Sequence, residues 1–536
     1  MDDNMSNTYE NLTFELKWVS KDNFSKLIKI ADYIGRKSGK SVYMINPQKC
    51  KLLSPSQFAL ILSALKSVLP PHIIEYLSDL RESIIRITLD GSDLVIKGLD
   101  KNASRLLSPY VRYDSKNNVY RAMPLFFKNI KDILSENGYK LKYNFPEWSL
   151  SEKPKPNFRL RKYQKEAYDA WISNDMRGVI ALPTGAGKTH IALWAIAKIQ
   201  ERTLIVIPTI DLLNQWYDKI VTELGLTDVG LFGGGDRDIR SITITTYSSA
   251  YLNAELFADK FGFVVFDEVH HLPSPKYRII AESLVAWKRM GLSATPERED
   301  NLHLDLLQLV GPVVYRKTPS ELKKQRHIAE FEVKRIAVPL DSEQRKEYKL
   351  LMQKYREALH MLGIPYSGKK ALELLIMRSG KSKLAHDAIV WREKARKIAL
   401  NSEAKIKLLE EILIANRRRK TLIFTKYTSI VNRISHTFGI TKITHKTKRE
   451  ERIKILDAFR KGKISKIVTS EVLDEGTDVP DANLGIIVSG TGSKRQFIQR
   501  LGRLLRPKDE PALLIELVTK GTIDSSLSSR RVKALE

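Results

Sequence analysis

The chain has 536 residues, 43% of them hydrophobic, and its 90 lysines and arginines outnumber its 62 aspartates and glutamates, which gives a formal net charge of +28. Its single cysteine, Cys50, excludes an internal disulfide, a zinc ribbon and a cysteine-ligated iron–sulfur cluster, and no apolar run approaches the ~20 residues of a membrane span. Because lysine-rich solvated surfaces usually balance lysine with glutamate, this cationic excess predicts a polyanionic partner, nucleic acid.

The N-terminal part of the chain shows mixed patterns. Met1-Asp2-Asp3-Asn4 is acidic and polar, unlike a secretory signal, so we expect a cytoplasmic protein. Strand-like runs at Ser83–Leu89 and Leu94–Ile96 flank the turn signal Asp90-Gly91 and predict a β-hairpin. The apolar periodicity from Phe126 to Tyr139 predicts an amphipathic helix.

Two later stretches, from about 155 to 320 and from about 403 to 530, alternate short β-branched runs with helical patterns. This alternation predicts parallel sheets with helices on both faces, and therefore two related α/β lobes with a cleft between them. The predicted strands are Gly178–Leu182, Thr203–Ile207, Ile242–Thr246, Phe263–Phe266 and Arg289–Ser293 in the first stretch, and Thr421–Phe424, Lys466–Thr469, Leu484–Ser489 and Ala512–Leu517 in the second.

A glycine-rich turn follows the first predicted strand, in the sequence Leu182-Pro183-Thr184-Gly185-Ala186-Gly187-Lys188-Thr189. Its two glycines allow successive backbone N–H groups to surround a phosphate at the start of a helix. We expect Lys188 to reach the β- and γ-phosphates of a nucleotide and Thr189 to hold Mg²⁺, although Leu182 stands where the motif usually has its first glycine. The predicted nucleotide-binding residues of this turn are Pro183, Thr184, Gly185, Ala186, Gly187, Lys188, Thr189 and His190.

The apolar strand Phe263–Phe266 ends in two carboxylates, Asp267 and Glu268. Loops at the carboxyl ends of neighbouring parallel strands meet at one edge of a sheet, so we expect both carboxylates beside the phosphate loop. Asp267 is the expected Mg²⁺ ligand, acting through water, and Glu268 is expected to orient the attacking water. Asp-Glu pairs are common in solvated turns, but the buried strand before this pair favours a catalytic role.

In the second stretch, Gln499-Arg500-Leu501-Gly502-Arg503-Leu504-Leu505-Arg506 predicts a helix with Arg503 and Arg506 on one face. That spacing can aim two guanidinium groups at one γ-phosphate across a cleft, where they would stabilise the charge of phosphoryl transfer. These motifs occur in the order that a two-lobed motor requires. Gln499, Arg503 and Arg506 are the predicted catalytic residues of this lobe.

Strand signals disappear between the two stretches, from about 341 to 400, and apolar residues recur at helical spacing. The part from Lys381 to Lys397 is rich in lysine and arginine. On the residues alone, this helical insertion is either a linker with a solvated basic face or an element that grips a phosphate backbone.

Taken together, the motifs resemble those of superfamily 2 helicases and, among these, the XPB family in its compact archaeal form. The segment Leu160–Ala167 resembles the family's adenine-reading segment, with Arg161 and Gln164 at the nucleotide and Gln164 on the base. Asp267-Glu268-Val269-His270 resembles its DExH box, where His270 would couple ATP to DNA.

The resemblance extends to the motifs that link the lobes and contact DNA. Ser293-Ala294-Thr295 is similar to the motif that joins the lobes, and Arg298-Glu299-Asp300 is similar to the triplet that XPB-type enzymes use to open the duplex. By this resemblance, the DNA and coupling residues are Thr209, Thr246, His270, Ser293, Thr295, Arg298, Glu299, Asp300, Thr425 and Lys426. Gly476 and Asp478 match the family's fifth motif and join the nucleotide-binding set.

The resemblance implies an α/β fold with two tandem RecA-like parallel-sheet lobes, a helical thumb insertion and an N-terminal α+β domain. The implied divisions are 1–83, an extension of unknown role; 84–152, a damage-recognition-like domain; 153–320, the first lobe; and 321–536, the second lobe with the insertion as its thumb. In that position the insertion is expected to contact DNA.

The implied function is that of an ATP-dependent 3′–5′ DNA helicase or duplex translocase in nucleotide excision repair or transcription opening. ATP and Mg²⁺ are the implied cofactors. The implied partners are duplex, forked or bubble DNA and a nuclease such as archaeal relatives use, with no membrane. Two alternatives stay open: another superfamily 2 motor, either an RNA helicase or the translocating subunit of a restriction system, and a binding module whose ATPase has decayed.

Overall fold

The computed structural model describes residues 12–79, 84–298, 300–324, 331–366, 369–470, 482–490 and 512–532. Within these ranges the strands form four sheets, of three, five, eight and six strands in chain order of their first members. The two larger sheets are mainly parallel, with helices between their strands. The predicted α/β fold with two parallel-sheet lobes and an N-terminal α+β region is confirmed.

The N-terminal unit, residues 12–79, is an antiparallel sheet with helices, in which β3 lies between β1 and β2. Its core includes Phe14, Tyr43 and Leu65. No sequence pattern predicted this sheet. The elements of the unit are β1 (Thr13–Leu16), α1 (Lys21–Leu27), β2 (Ala31–Lys37), β3 (Lys40–Ile45), α2 (Pro47–Leu52), α3 (Pro55–Leu65) and α4 (Pro71–Asp79).

The second unit is a five-stranded sheet, in the order β6-β7-β5-β4-β8, with two helices. The predicted hairpin is confirmed as antiparallel β4 and β5. The predicted helix ends at Glu136, short of Tyr139, because Gly138 adopts a left-handed φ of +79°. The elements are β4 (Ile85–Asp90), β5 (Asp93–Lys97), α5 (Lys101–Leu106), β6 (Val111–Asp114), β7 (Val119–Ala122), α6 (Phe127–Glu136) and β8 (Leu141–Tyr143).

The eight-stranded sheet forms the first lobe, lobe 1, in the order β12-β11-β13-β10-β14-β15-β9-β16. Every neighbouring pair is parallel except β11 with β12. The strands are β9 (Arg177–Ala181), β10 (Thr203–Ile207), β11 (Val229–Gly233), β12 (Asp236–Arg237), β13 (Ile242–Thr246), β14 (Phe263–Asp267), β15 (Lys288–Ser293) and β16 (Val313–Arg316). The helices are α7 (Lys162–Ser173), α8 (Lys188–Ile199), α9 (Ile210–Lys219), α10 (Tyr247–Leu252), α11 (Ala254–Phe257), α12 (Arg278–Glu282), α13 (Leu306–Leu309) and α14 (Pro319–Lys324).

The six-stranded sheet forms the second lobe, lobe 2, in the order β17-β22-β21-β18-β20-β19, all parallel. Helices α15–α17 follow β17, in the segment for which a helical insertion is predicted. The strands are β17 (Phe331–Val338), β18 (Thr421–Phe424), β19 (Thr441–Ile443), β20 (Lys466–Thr469), β21 (Leu484–Ile487) and β22 (Ala512–Thr519). The helices are α15 (Ser342–Met361), α16 (Lys369–Ser379), α17 (Lys383–Leu400), α18 (Glu403–Ala415), α19 (Thr428–Phe438), α20 (Arg449–Arg460) and α21 (Ile523–Val532).

Candidate nucleotide site and its connection to the DNA motifs

The glycine-rich turn joins β9 to α8, and both of its glycines use conformations that other residues rarely adopt. Gly185 has a φ of +83° and Gly187 a φ of +75°. A Cβ at Gly187 would also collide with the side-chain nitrogen of Gln164. The turn therefore needs glycine both for its backbone shape and for the close approach of α7, and it leaves helix N–H groups at the start of α8.

Lys188, the first residue of α8, lies over the turn. Its Nζ donates hydrogen bonds to the carbonyl oxygens of Leu182 at 3.0 Å and Pro183 at 3.4 Å. Its positive charge also acts on Asp267, where it lowers the pKa of the carboxyl group against the opposing effect of burial. Lysine and carboxylate therefore share one site.

The start of α7 is tied to the same turn. Gln164 accepts the backbone N–H of Arg161 at 2.8 Å and donates from Nε2 to the carbonyl oxygens of Ala186 and Gly187, both at 3.2 Å. The Tyr163 hydroxyl donates to the same Ala186 carbonyl at 2.7 Å. Gln164, the residue expected to read the base, is therefore buried against the glycine-rich turn. It connects the start of α7 directly to that turn.

His190, in the first turn of α8, contacts Glu223 and Phe158. Its Nε2 is 3.3 Å from the Glu223 carboxylate, and its ring packs edge-to-face on Phe158 with centroids 5.1 Å apart. Burial, the largest cause, lowers the pKa of His190. The imidazole therefore forms part of the packing beside the α7 segment.

Asp267 is the last residue of β14 and is half-buried. Burial, and secondly the charge of Glu268, raise the pKa of Asp267 from its ordinary 3.8 to about 6. Its Oδ1 accepts the backbone N–H of Glu268 at 3.0 Å, and its Oδ2 accepts the indole N–H of Trp216 at 3.1 Å. A half-buried carboxylate with a raised pKa beside a second carboxylate is an arrangement that a cation would stabilise.

Glu268 holds a left-handed conformation, with φ +48° and ψ +54°. For a residue with a Cβ this geometry costs about 1–3 kcal/mol and is concentrated at functional sites. Strain of this kind persists only where surrounding contacts impose it, and here the neighbouring Asp267 and His270 supply them. The backbone thus turns sharply just where the two carboxylates emerge.

A line of polar contacts runs from Glu268 into the sheet. His270 is fully buried, and its Nδ1 is 3.3 Å from Glu268 Oε2 and 3.2 Å from Ser293 Oγ. Ser293 ends β15, which lies between β14 and β9, and its Oγ accepts the Thr295 backbone N–H at 3.1 Å. The predicted residues Glu268, His270, Ser293 and Thr295 therefore form one connected group.

A second line leaves the same histidine. The His270 carbonyl oxygen accepts Arg298 Nη1 at 2.7 Å, and the guanidinium makes two bonds to the Asp300 carboxylate, at 2.9 and 2.6 Å. Arg298 is the main reason why the pKa of Asp300 falls to about 2. Glu299 of this triplet lies outside the described residues.

The four positions expected at the DNA backbone differ in exposure. Thr209 and Thr246 each precede a helix, and Thr246 Oγ1 accepts the Ser249 backbone N–H at 3.1 Å as the N-cap of α10. Thr425 is fully buried. The Thr425 hydroxyl oxygen lies 2.7 Å from Ser489 Oγ, and the Lys426 backbone N–H donates to the same Ser489 Oγ at 3.0 Å. The Thr425 side chain therefore supports the turn from inside lobe 2, and Lys426 is the half-buried member of the pair.

Five further predicted residues have no described geometry. They are the catalytic candidates of lobe 2 and the two positions of the fifth motif. These residues, Gln499, Arg503, Arg506, Gly476 and Asp478, lie outside the described residues.

Comparison with known proteins places this geometry in a family. Residues 157–298 match the family described as "Type III restriction enzyme, res subunit", and residues 404–508 match "Helicase conserved C-terminal domain". The "DNA 3'-5' translocase XPB2" of Sulfurisphaera tokodaii is 42% identical over 79% of this chain and 96% of its own length. The chain belongs to the XPB family.

More distant XPB proteins match smaller shares of their own length. The "DNA 3'-5' helicase XPB" of Mycobacterium tuberculosis is 30% identical over 70% of this chain and 64% of its own length. In Saccharomyces cerevisiae, the "General transcription and DNA repair factor IIH helicase/translocase subunit XPB/SSL2" is 26% identical over 74% of this chain and 46% of its own. This XPB-family chain therefore spans about half of the yeast relative and nearly all of the Sulfurisphaera one.

Two residues of this XPB-family protein contact Asp267 although no sequence motif predicts that they do. Trp216, on α9, donates to Asp267, and Tyr247, on α10, donates its hydroxyl proton to the Asp267 backbone carbonyl at 3.1 Å. Both helices begin directly after a predicted DNA-contact position, Thr209 or Thr246. A tryptophan at helical spacing in an apolar pattern reads as core, so the sequence held no signal for this contact.

The helix α9 of this XPB-family chain also approaches lobe 2. The Asp211 carboxylate, in its first turn, is 3.9 Å from the Arg452 guanidinium on α20. The helix α9, which follows Thr209, therefore contacts lobe 2 through Asp211. It contacts the Asp267 carboxylate through Trp216. Across the described ranges, the XPB-family chain has no helix that is both long and apolar enough to cross a membrane.

Proposed function

We propose that the protein is an ATP-dependent DNA 3′–5′ helicase or translocase that opens DNA in repair or transcription. The proposal is supported by the membership of the XPB family and by one arrangement above all: Lys188, Asp267 and Glu268 share a site from which buried polar contacts lead to Arg298. ATP is the energy source, and the names of the relatives indicate DNA as the substrate.

In this proposal the turn and α8 bind the triphosphate of ATP. Lys188 exchanges its contacts with Leu182 and Pro183 for the β- and γ-phosphates, because phosphate oxygens are stronger acceptors than neutral carbonyls. The Thr184 hydroxyl oxygen is buried in the turn with no hydrogen-bond partner, and a phosphate oxygen would satisfy it. Arg161 and Gln164 then lie at the edge of the nucleotide, where the resemblance expects the adenine.

Mg²⁺ fits the same residues. No cluster of three or more histidine, cysteine, aspartate or glutamate side chains in the described ranges could hold a metal, and Mg²⁺ typically needs only one or two protein groups plus substrate phosphates. Asp267, half-buried with a raised pKa, and Thr189 would hold the ion. When bound, Mg²⁺ neutralises the phosphate charge that builds up during the reaction.

Hydrolysis then depends on Glu268. Its carboxylate orients a water for attack on the γ-phosphorus, so that the new P–O bond forms as the bond to the leaving ADP oxygen breaks. Arg503 and Arg506 are proposed to stabilise the transferred group from lobe 2. Because Glu268 also contacts His270, a change of its position is transmitted to Ser293 and to the Arg298–Asp300 pair.

The test is DNA-stimulated ATP hydrolysis by the full chain. Lys188→Ala and Glu268→Gln are each expected to lower the rate by at least 100-fold, because one removes phosphate binding and the other removes water orientation. Lys198→Ala is the matched control, since Lys198 is an exposed lysine on the same helix that lies over Trp194. Activity that survives both site variants would contradict the proposal.

Substrate and partners need separate measurements. An ATPase titration with duplex DNA, single-stranded DNA and RNA decides between a DNA motor and an RNA helicase, and stimulation by RNA alone would overturn the assignment. A forked or bubble duplex is the proposed DNA form, the cytoplasm the proposed location, and a nuclease the proposed partner. Co-purification with a nuclease followed by cleavage of bubble DNA tests that partner.

A further inference from the structure

The N-terminal unit presents a basic and aromatic surface at one end of its three-stranded sheet. Leu16 at the end of β1 and Arg36 near the end of β2 are both aligned with Ser41 of the central strand β3. Two strand spacings separate them, about 10 Å. Lys17 and Trp18 directly follow Leu16, so they leave the sheet at the same end as the β2–β3 turn.

The turn itself holds its cationic residues out from the sheet. Lys37 and Lys40 form the last aligned pair of the hairpin, and Ser38 and Gly39 between them have φ values of +51° and +79°. Positive φ at both central residues is typical of a type I′ turn, the tight turn that matches the twist of a hairpin. Arg36 and Lys37 are both exposed on this rigid support.

Trp18 is the unusual residue of this surface. It is 79% exposed, although Leu16 two residues earlier is buried and Val19 packs against the core of the unit. An indole ring left in water between two packed neighbours offers a large flat apolar face. A ligand with its own flat ring would cover that face.

The cationic groups around Trp18 lack acidic partners. Lys17, Lys21, Arg36 and Lys37 are exposed, and none of these four forms an ion pair within the described part of the chain. The acidic side chains of the same surface are already engaged in ion pairs, Glu15 with Lys40 at 3.3 Å and Asp22 with Lys26 at 2.6 Å. The surface is therefore positive and available to an anionic chain.

We propose that this surface, Lys17, Trp18, Lys21, Arg36 and Lys37, binds single-stranded DNA. Trp18 stacks on an unpaired base while the four cations contact successive phosphates, which is how sequence-independent single-strand binders combine rings and charge. A duplex hides the faces of its bases within the stack, so it would engage the cations alone. The choice of DNA rests on the proposed motor function, because a helicase produces the single strand that this surface would hold.

The test is the affinity of the full chain for a fluorescent 20-nucleotide oligothymidine, measured by anisotropy without ATP. Trp18→Ala is expected to raise the Kd about 5- to 30-fold through loss of base stacking, and Trp18→Phe to restore most of the affinity. The double variant Arg36→Glu/Lys37→Glu is expected to weaken binding and to reduce the slope of log K against log salt by about 1–2, because fewer phosphates are neutralised.

Matched controls lie on the same unit. The control variants are Leu60→Ala and Lys66→Glu. Leu60 is 71% exposed on α3, and Lys66 is exposed directly after the end of that helix. Both variants should bind oligothymidine as the parent does. Unchanged affinity in the Trp18→Ala variant overturns the proposal, as does an equal loss of affinity for blunt duplex.

This outcome is separable from that of the ATPase test. ATP hydrolysis without DNA should be the same in Trp18→Ala and in the parent, because the substitution changes none of the proposed nucleotide residues. If DNA fails to stimulate hydrolysis but Trp18→Ala still loses oligothymidine binding, the proposed motor function is contradicted and the proposed DNA-binding surface is supported. If DNA stimulates hydrolysis and Trp18→Ala binds oligothymidine as the parent does, only the proposed DNA-binding surface is contradicted.

Discussion

Lobe 1 and lobe 2 both place charged side chains at the carboxyl ends of a parallel sheet, half-buried in lobe 1 and fully buried in lobe 2, but they arrange the charges in opposite ways. Lobe 1 sets two carboxylates, Asp267 and Glu268, next to each other. Lobe 2 pairs opposite charges: Lys405 donates to the Asp524 carboxylate at 2.6 Å and to the Val488 carbonyl at 2.8 Å, and both charged side chains are fully buried.

The difference distinguishes the proposed catalytic site of lobe 1 from a structural ion pair in lobe 2. In lobe 2 each buried charge stabilises its partner, and Asp524 also accepts the Thr519 backbone N–H at 2.9 Å, so the pair joins α18 to the end of β22. In lobe 1 burial and, secondly, the charge of Glu268 oppose the ionisation of Asp267, and Glu268 adds backbone strain. A site that destabilises the empty fold in this way gains most from a bound cation and nucleotide.

The largest expected effect breaks the lobe 2 pair. Lys405→Ala leaves a buried carboxylate without its cation, which costs about 3–5 kcal/mol. Hydrogen exchange followed by mass spectrometry should show faster exchange of the peptide that covers 512–524. Lys407→Ala, an exposed lysine two residues later on α18, is the control and should exchange like the parent. If the 512–524 peptide exchanges as slowly in the Lys405→Ala variant as in the parent, the ion pair does not stabilise lobe 2 as described.

A smaller effect, of opposite sign, is expected in lobe 1. Because the pKa of Asp267 is about 6 in the folded protein against an ordinary 3.8, its contribution to stability is fully present below 3.8 and is lost as the pH rises through about 6. Asp267→Asn stays neutral, so at pH 8 and with EDTA it should raise the free energy of unfolding by about 1–3 kcal/mol while ATP hydrolysis is lost.

The controls for this prediction are a pH series and a surface carboxylate. The gain of Asp267→Asn over the parent should shrink as the pH falls from 8 towards 4. Asp169→Asn changes an exposed aspartate on α7 and should give no gain at either end of the range. A gain of equal size at pH 4 and pH 8 would show that ionisation of Asp267 is not the cause.

The smallest expected effect concerns the indole that supports Asp267. Trp216→Phe keeps an aromatic ring in the core but removes the N–H that favours the ionised carboxylate, so the midpoint of the pH–stability profile should move upward. Trp171→Phe is the matched control, because Trp171 is equally buried and donates to the Arg289 backbone carbonyl at 2.9 Å. A similar shift in both variants would assign the effect to packing instead.

Much of the fold could be predicted from local pattern. The strands Thr203–Ile207, Ile242–Thr246, Thr421–Phe424 and Lys466–Thr469 have the predicted bounds, because interior strands of a parallel sheet are buried on both faces and read as continuous apolar or β-branched runs.

The strands that the sequence analysis missed lie at or near the sheet edges. β16 and β19 have one neighbour each, and β17, the other edge of lobe 2, carries Glu332, Lys334 and Arg335 along its length. A strand with one free edge can keep polar side chains in water, so its apolar pattern weakens. The three-stranded N-terminal sheet was missed for the same reason, since β1 has only four residues and most of the side chains of β2 are not buried.

The candidate site divides in the same way. The glycine-rich turn, its lysine and the two carboxylates could be located from sequence, because phosphate binding and water activation require particular residue types at short spacings. The backbone strain at Glu268, the tie between Gln164 and the turn, and the hydrogen bond from Trp216 join residues 23 to 51 positions apart or depend on local backbone angles. They had no pattern to reveal them.

The sequence of this XPB-family chain therefore determines the features that depend on short-range chemistry and burial. These are its basic character, its two lobes, and the turn and carboxylates of its candidate nucleotide site. Folding alone brought β15 between β14 and β9, so that His270 reaches Ser293, and it alone left Trp18 in water among cations. Contacts of that kind arise from the order and alignment of strands far apart in the chain, and long-range alignment leaves no local periodicity to read.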